Sequence, residues 1–163
     1  MDDNELKNKI LNAYKVEKYA ELSLLLLFLE DEKYDFRPIA AKLVLESDVH
    51  KEVMENILKK MRLEDKGNAE IKRTKEDIDR MDYRSLLKLL VSNEILAMNN
   101  YLELYLFTDK DIVKKYFEDP EDYYSSLKEL AYEELNHTKR IIDFIYNIGD
   151  KIHQRSFQIV NQI

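Results

Sequence analysis

The sequence contains no cysteine among its 163 residues. Disulfides, thiolate metal sites and iron–sulfur clusters are therefore excluded, because each needs cysteine sulfur. Glycine and proline occur only twice each, and no glycine-rich phosphate loop is present. The longest apolar run, LSLLLLFL, lies between Glu21 and Glu30 and is far shorter than the ~20 residues that a membrane span needs. The N-terminal MDDNELKNKI is acidic and polar, unlike a signal peptide, so we expect a cytoplasmic protein with no membrane partner.

The charge balance is acidic, with a net charge of −7 and a pI of about 5.1. A nucleic-acid-binding surface needs the opposite balance, so no nucleic-acid partner is expected. Charged residues make up 36% of the chain, which is typical of long helices with ion-paired surfaces. The abundance of Lys and Glu without Cys is a weak indication of a thermophile. The length suits one domain with its own core, predicted over residues 1–163.

The two prolines and two glycines mark helix boundaries. Proline is favoured in the first turn of a helix and glycine just past its end. Helix B is therefore predicted from Pro38 to Gly67 and helix D from Pro120 to Gly149. Apolar residues at three- and four-residue spacing predict two more helices, A over about residues 3–32 and C over about residues 83–108.

The connections between these helices differ in length. A short turn around DEKYD joins A to B, and DKDIVKKYFEDP, with room for one short helical piece, joins C to D. Some twenty polar residues over about 62–82 separate B from C. We therefore predict an all-α fold, an antiparallel four-helix bundle with one long crossover. The tail over about 150–163 is long enough for a short closing helix.

Helices C and D carry ionisable side chains on their apolar stripes. Glu134 and His137 interrupt a stripe of Leu, Ala and Ile residues on helix D, and Glu94 interrupts one on helix C. The spacing of three residues places Glu134 and His137 on one face, one turn apart, so that both can reach a single ion.

Helices A and B carry similar groups, with Glu46 or Ser47 before His50 on helix B and two candidate acids on helix A. His50 lies on the stripe of helix B, preceded by Ser47 at three residues and by Glu46 at four. On helix A, either Glu17 or Glu21 faces inward. All four helices therefore place ionisable groups near mid-length on their inward side. Buried carboxylates repel one another and are costly without partners. Carboxylates with imidazoles are natural ligands for iron or manganese, which would relieve both problems.

At this point the sequence resembles a known family. The segment NEILAMNNYLELYLF followed by YEELNHTKRI is similar to the first helix pair of ferritins and related di-iron carboxylate proteins. That family has a Glu followed seven residues later by a Tyr, here Glu94 and Tyr101, and Glu-x-x-His on the paired helix, here Glu134 and His137. An extra Glu often precedes that motif, as Glu133 does here.

The A/B half of the chain matches the family by connectivity and only loosely by residue. The family has Glu-x-x-His on helix B as well, but Ser47 stands three residues before His50. Measured inward from the A/B turn, Glu21 lies at the depth of Ser47, and we prefer Glu21 to Glu17 as the helix A ligand. The resemblance therefore supports one metal position better than two. It implies one ion held by Glu94, Glu134 and His137, and a second held by Glu21 (or Glu17), His50 and, as an additional candidate, Glu46.

The leading hypothesis is a di-metal carboxylate protein that performs redox chemistry with dioxygen or peroxide. Iron is the preferred metal, and manganese is the alternative. The resemblance places Tyr101 beside the metal, as the candidate catalytic tyrosine. Without cysteine, an external electron donor is needed. A metal-free bundle that serves as a structural or protein-interaction module is the alternative, and Ser47 favours it. We expect a homodimer, because the Tyr- and Leu-rich helix faces are too apolar for one small bundle.

Overall fold

The computed structural model describes residues 1–30, 36–65 and 81–160, and within these ranges the chain is helical with no strand. The all-α prediction is confirmed. No helix in the described part combines the length and apolarity that crossing a membrane requires. The helices are α1 (Asp3–Glu30), α2 (Arg37–Lys60), α3 (Tyr83–Phe107), α4 (Lys110–Val113) and α5 (Pro120–Val160).

The four long helices pack into a bundle. Helix α1 packs against both α2 and α3, and α3 packs against α5. Helix α2 also meets α5, but over a smaller contact than the other pairs. The short helix α4 touches α5 and is the helical piece expected between helices C and D.

The helix starts follow from local chemistry. Pro38 lies in the first turn of α2, and Pro120 begins α5. The Asp82 side chain caps α3 by accepting a hydrogen bond of 3.0 Å from the backbone N–H of Ser85. Asp119 accepts one of 2.9 Å from the backbone N–H of Glu121. These partners satisfy backbone donors that the first turn of a helix leaves free.

The end of α2 was wrongly predicted. The helix ends at Lys60, not at Gly67, because Arg62 adopts a left-handed conformation with φ of 56°. The backbone N–H of Leu63 then bonds to the carbonyl of Leu58 at 2.9 Å, which is the bond of a Schellman motif. Both leucines pack in the same apolar cluster, and this contact compensates for a non-glycine residue at that position. Gly67 itself lies outside the described residues.

The end of the last helix also differs from the prediction. Helix α5 passes through Gly149 and continues to Val160, so most of the expected separate closing helix belongs to α5. A glycine inside a helix costs only about 1 kcal/mol, which neighbouring residues can offset. The A/B turn at 31–35, most of the crossover at 66–80 and the last residues, 161–163, lie outside the described part.

The apolar core consists of two clusters. Cluster I includes Ile10, Tyr14, Met54, Ala97, Tyr101, Leu127 and Leu130. Cluster II includes Leu24, Phe36, Leu43, Leu90, Ile141 and Phe144. On each of the four long helices, buried polar residues lie in the sequence between the cluster I and cluster II residues.

Candidate metal centre

A layer of buried polar side chains separates the two apolar clusters. Every long helix contributes to this layer near its middle, as its interrupted apolar stripe predicts. The contributors are Glu17 from α1, Ser47 and His50 from α2, Asn93 and Glu94 from α3, and Glu134, His137 and Thr138 from α5. Buried acids and imidazoles in such number are uncommon and need mutual partners or a cation.

Glu134 lies at the centre of this layer. One carboxylate oxygen, Oε1, is 2.6 Å from Nδ1 of His50, and the other, Oε2, is 3.5 Å from Nδ1 of His137. Nδ1 of His137 also lies 3.0 Å from Oε2 of Glu94. One carboxylate therefore contacts imidazoles from two different helices.

The helix A candidates separate clearly in the structure. Glu17 is buried and accepts a hydrogen bond from the hydroxyl of Tyr101. Glu21 lies one turn further along, and its carboxylate is paired with Lys51, with an Oε2–Nζ distance of 2.9 Å. Glu17, rather than the preferred Glu21, therefore lies with the buried acids, and Tyr101 contacts the layer through Glu17.

Glu46 lies at the edge of the layer. Its Oε2 bonds to the guanidinium of Arg140 and lies 3.1 Å from Nε2 of His137. That second approach is an ion-pair contact and not a hydrogen bond, because Nε2 of His137 has no partner of suitable geometry. The Nζ atom of Lys42 is 3.8 Å from the other oxygen, Oε1. Glu46 is thus close to the site, but its carboxylate is already paired with the guanidinium of Arg140.

Among the described residues, three sets of side chains could hold an ion, because the ligand atoms within each set lie within 4.8 Å of one another. Two sets share Glu134. The sets are Glu94, Glu134 and His137; Glu17, His50 and Glu134; and His50, Glu133 and His137. The first contains the ion position proposed for helices C and D, and the second contains the other position with Glu17 as its helix A ligand.

Burial and mutual contact shift the pKa values of the layer in opposite directions. Burial, followed by the charge of Glu134, raises the pKa of Glu17 well above its usual value. Burial likewise raises the pKa of Glu94 to about 8, although its bond to His137 opposes the shift. For Glu134, burial opposes ionisation, but hydrogen bonds with His137 and His50 outweigh it and lower the pKa. For His137, burial acts downward, yet bonds to Glu134 and Glu94 raise the pKa to about 10.

With these pKa shifts, the metal-free layer holds protons at the place that a cation would occupy. Glu134 is the ionised centre, and Glu17, Glu94 and His137 keep their protons beside it. The pKa of Tyr101 is also raised well above its usual value, by burial and then by the charge of Glu17, so its hydroxyl stays a donor. A divalent cation would take over the balancing charge and displace these protons.

The residues present fit a metal ion. Two buried atoms, Oε1 of Glu94 and Nε2 of His137, have no hydrogen-bond partner, and such orphaned groups need an explanation. The donors are carboxylate oxygens and imidazole nitrogens without sulfur, which suits iron or manganese. A surface groove between α2 and α5 reaches His50 and is also lined by Glu46, Glu129 and Glu133. Three carboxylates at this groove favour the approach of a cation.

Comparisons with known proteins bear on the fold. No protein-family profile and no curated protein matches the chain. A crystal structure of a protein from Xanthomonas campestris pv. campestris is similar, with a TM-score of 0.67 and 14% sequence identity. The similarity covers 94% of this chain and 97% of the other. At this identity the likeness shows a shared fold and nothing about activity.

Sequence reasoning missed two features of the layer. Arg140 reaches Glu46 from α5, and its position three residues after His137, on the same face, was the available signal. Asn93 is buried beside Glu94 with an unpartnered Nδ2, and nothing in the sequence distinguishes it from a surface amide. Ser47 is buried in the layer, at the position where the resemblance puts a Glu.

Proposed function

We propose that this chain is a di-metal carboxylate protein of ferritin-like type that performs redox chemistry with dioxygen or peroxide. Iron is the preferred metal, and manganese is the alternative. The observation that carries the proposal is the position of Glu134, a buried carboxylate between His50 and His137, with Glu17 and Glu94 beside it. Such a set of acids and imidazoles has no evident use in a purely structural core, where apolar residues pack as well at lower cost.

The direction of the helices supports the ferritin-like part of the proposal. Along the sequence, α1 and α5 proceed from cluster I residues to cluster II residues, whereas α2 and α3 proceed from cluster II to cluster I. This order is expected of two antiparallel hairpins. The connection from α2 to α3 then has to return along the bundle, as the long polar crossover over about 62–82 allows. We take residues 1–163 as one domain.

The ligands follow from the two sets that share Glu134. Glu94, Glu134 and His137 would hold one ion. Glu17, His50 and Glu134 would hold the other, with Glu46 close to both imidazoles and Glu21 outside the set. The bridging role goes to Glu134, since it is the carboxylate common to both positions.

The bound metal would supply the electron transfer with dioxygen or peroxide. The protein's own residues orient the ligands and exclude water: clusters I and II cover the layer on both sides, and Tyr101 holds Glu17 by its hydroxyl. Ligands fixed by such supporting contacts bind a metal with less reorganisation. An external electron donor is part of the proposal.

The test is metal content. The protein, purified without a metal-affinity tag, is loaded with Fe²⁺ under anaerobic conditions, dialysed and assayed by elemental analysis. We expect near-stoichiometric iron in the natural protein and in Asp143→Asn, whose side chain is exposed on the same helix. Glu134→Gln and His137→Ala should retain almost none. Equal iron in all four proteins, or none in the natural protein, would rule the proposal out.

One observation favours the alternative of a metal-free structural or interaction module. Ser47 occupies a buried position where a carboxylate is expected, and Glu46 is paired with Arg140. If this alternative holds, iron loading leaves the melting temperature unchanged, whereas a bound ion would raise it according to its occupancy.

A homodimer is also proposed. Large apolar side chains are exposed on all four long helices, including Leu45 and Val49 of α2, Leu106 and Phe107 of α3, and Tyr132 and Leu135 of α5. Exposed apolar area of this kind supports association between chains. Sedimentation velocity at micromolar concentration should give about twice the 19.6 kDa chain mass; a single species of chain mass would exclude the dimer.

A further inference from the structure

The outer surface of α3 and α5 carries a second stripe on each helix, besides the stripe that faces the core. Its residues follow one another at three or four positions, the spacing that places side chains on one helix face. The outer α3 stripe consists of Lys88, Val91, Ile95, Met98, Leu102 and Leu106. The outer α5 stripe consists of Lys128, Tyr132, Leu135, Lys139, Ile142 and Tyr146. All of these side chains are exposed or half-buried, so neither stripe belongs to the core.

The contacts of the two helices show that the outer stripes meet on one surface. Glu103, on the other flank of α3, pairs with Lys9 of α1 at 2.6 Å. Glu133, on the other flank of α5, lines the groove toward α2. Leu106 and Lys128, one from each outer stripe, line the same surface pocket. The two stripes therefore border the outer seam between α3 and α5, and together they form what we call the outer face.

The middle of the outer face is apolar. Leu102, Leu106, Tyr132 and Leu135 are all exposed large apolar side chains, and Tyr132 is 64% exposed. Single exposed apolar residues are ordinary, but a contiguous apolar surface rimmed by polar groups marks an interaction site. The outer face therefore has the composition of a binding surface.

The charged residues of the outer face have one sign. They are Lys88, Lys128 and Lys139, and none of them forms an ion pair or a hydrogen bond with a residue that the structure describes. Of the neighbouring acids on α5, Glu133 lines the groove toward α2, and Asp143 follows Lys139 by one turn without pairing with it. In a chain with a net charge of −7, the outer face is thus locally cationic, and its charges are complementary to those of an acidic partner.

The charges and the spacing also distinguish between possible partners. A symmetric contact with a second copy of the chain would bring lysines together without an acid of the stripes to pair with them. An anionic membrane would attract these lysines but repel the remainder of an acidic chain. The repeat of three and four residues on both stripes suits another helix, which packs along the seam with an apolar stripe of its own.

We propose that the outer face of α3 and α5 is a docking site for an acidic amphipathic helix of a partner protein. The apolar stripe of that helix packs against the middle of the face, and acids on its flanks pair with Lys88, Lys128 and Lys139. This inference does not depend on the metal centre. The proposed homodimer then forms through other exposed apolar residues, such as Leu45 and Val49 of α2.

The experiment is fluorescence anisotropy with a labelled synthetic peptide of about 20 residues, or ~30 Å as a helix. The peptide has leucine at spacings of three and four residues and glutamate on both flanks, and a matched peptide has lysine in place of every glutamate. With the full-length chain in EDTA at pH 7, we expect a Kd on the order of 10 µM for the acidic peptide. Binding of the basic peptide should be at least about tenfold weaker, and raising NaCl from about 50 to about 300 mM should weaken the acidic complex several-fold.

Variants of the chain locate the site. Lys128→Glu and Lys139→Glu should each weaken binding of the acidic peptide by about fivefold or more. Lys59→Glu is the matched control, because Lys59 is an exposed cation of α2, and it should change the Kd by less than about twofold. Leu135→Ala should weaken binding by about fivefold or more, whereas Leu45→Ala, at a 70% exposed position of α2, should not.

Four results would overturn the inference. The first is a failure of the acidic peptide to bind, and the second is equal Kd values for the two peptides or equal losses in Lys128→Glu and Lys59→Glu. The third is flotation of the natural chain with phosphatidylserine vesicles that Lys139→Glu abolishes, which would assign the face to an anionic lipid surface. The fourth is a dimer that Leu135→Ala dissociates in sedimentation velocity, which would assign the face to a second copy.

Discussion

The imidazole ring of His50 lies nearly parallel to that of His137, with ring centroids 5.1 Å apart and planes 13° from parallel. The two rings come from α2 and α5, which share a smaller contact than the other packed pairs of long helices. Nδ1 of each ring faces a different oxygen of Glu134. The link between these helices is therefore polar at its centre, and its chemistry can be tested one residue at a time.

Glu94→Gln and Glu134→Gln should differ in the metal-free protein. The raised pKa of Glu94, about 8, means that it is protonated near pH 6, and glutamine closely matches a protonated acid. We expect Glu94→Gln to change the free energy of unfolding by less than about 1 kcal/mol and to weaken Mn²⁺ binding by about 100-fold or more.

Glu134→Gln should lower the free energy of unfolding by about 3 kcal/mol, because it removes the ionised centre that pairs with His137 and His50. Urea denaturation of both variants at pH 6 in EDTA provides the measurement. Equal destabilisation by the two substitutions would contradict the assigned protonation states.

The stability of the metal-free protein should fall as the pH rises from about 5 to 10. Glu94 has a pKa of about 8 in the fold against 4.5 usually, and His137 about 10 against 6.5. Both keep protons that the unfolded chain releases, so the stability they favour is present below the usual pKa and is lost as the pH rises through the folded one.

Glu134 acts with the opposite sign. Its pKa is lowered in the fold, so its contribution is present above about 4.5 and is lost on acidification. The melting temperature in EDTA should therefore peak near pH 4–5. A melting temperature that climbs between pH 6 and 9 would show that the proton assignments are wrong.

Metal binding should release protons. At pH 7 both Glu94 and His137 hold a proton in the metal-free fold, given their pKa values of about 8 and 10. An ion bound by these residues and Glu134 needs their deprotonated forms, so we expect the release of about two protons for this ion. Calorimetry with Mn²⁺ in buffers of different ionisation enthalpy measures that number directly. Binding heats that do not depend on the buffer would refute this account.

Glu17→Gln and Glu21→Gln form a matched pair on α1. Glu17 lies in a ligand set with His50 and Glu134, whereas Glu21 is paired with Lys51. We expect Glu17→Gln to weaken one of the two Mn²⁺ binding steps by about tenfold or more and Glu21→Gln to change both by less than about twofold. Equilibrium dialysis of the two variants decides the matter, and the reverse order of effects would restore Glu21 as the helix A ligand.

Several features of the fold and the site could be predicted from local sequence. Pro38 and Pro120 lie in first turns because proline lacks the N–H that a first turn leaves unpaired. Glu94, Glu134 and His137 were found because a polar residue on an apolar stripe is visible in the spacing alone. The end of α2 could not be predicted, since the left-handed Arg62 is stabilised by the packing of Leu63 in cluster I.

The sequence by itself determined the helical class, the helix starts and the presence of acids and imidazoles on inward faces, because helix periodicity and capping are local properties of the chain. Only the tertiary structure decided between Glu17 and Glu21, which lie one turn apart on the same helix. Their partners, Tyr101 and Lys51, belong to other helices. The pairing of Glu46 with Arg140 was decided in the same way, since residues 94 positions apart meet only after the bundle has formed.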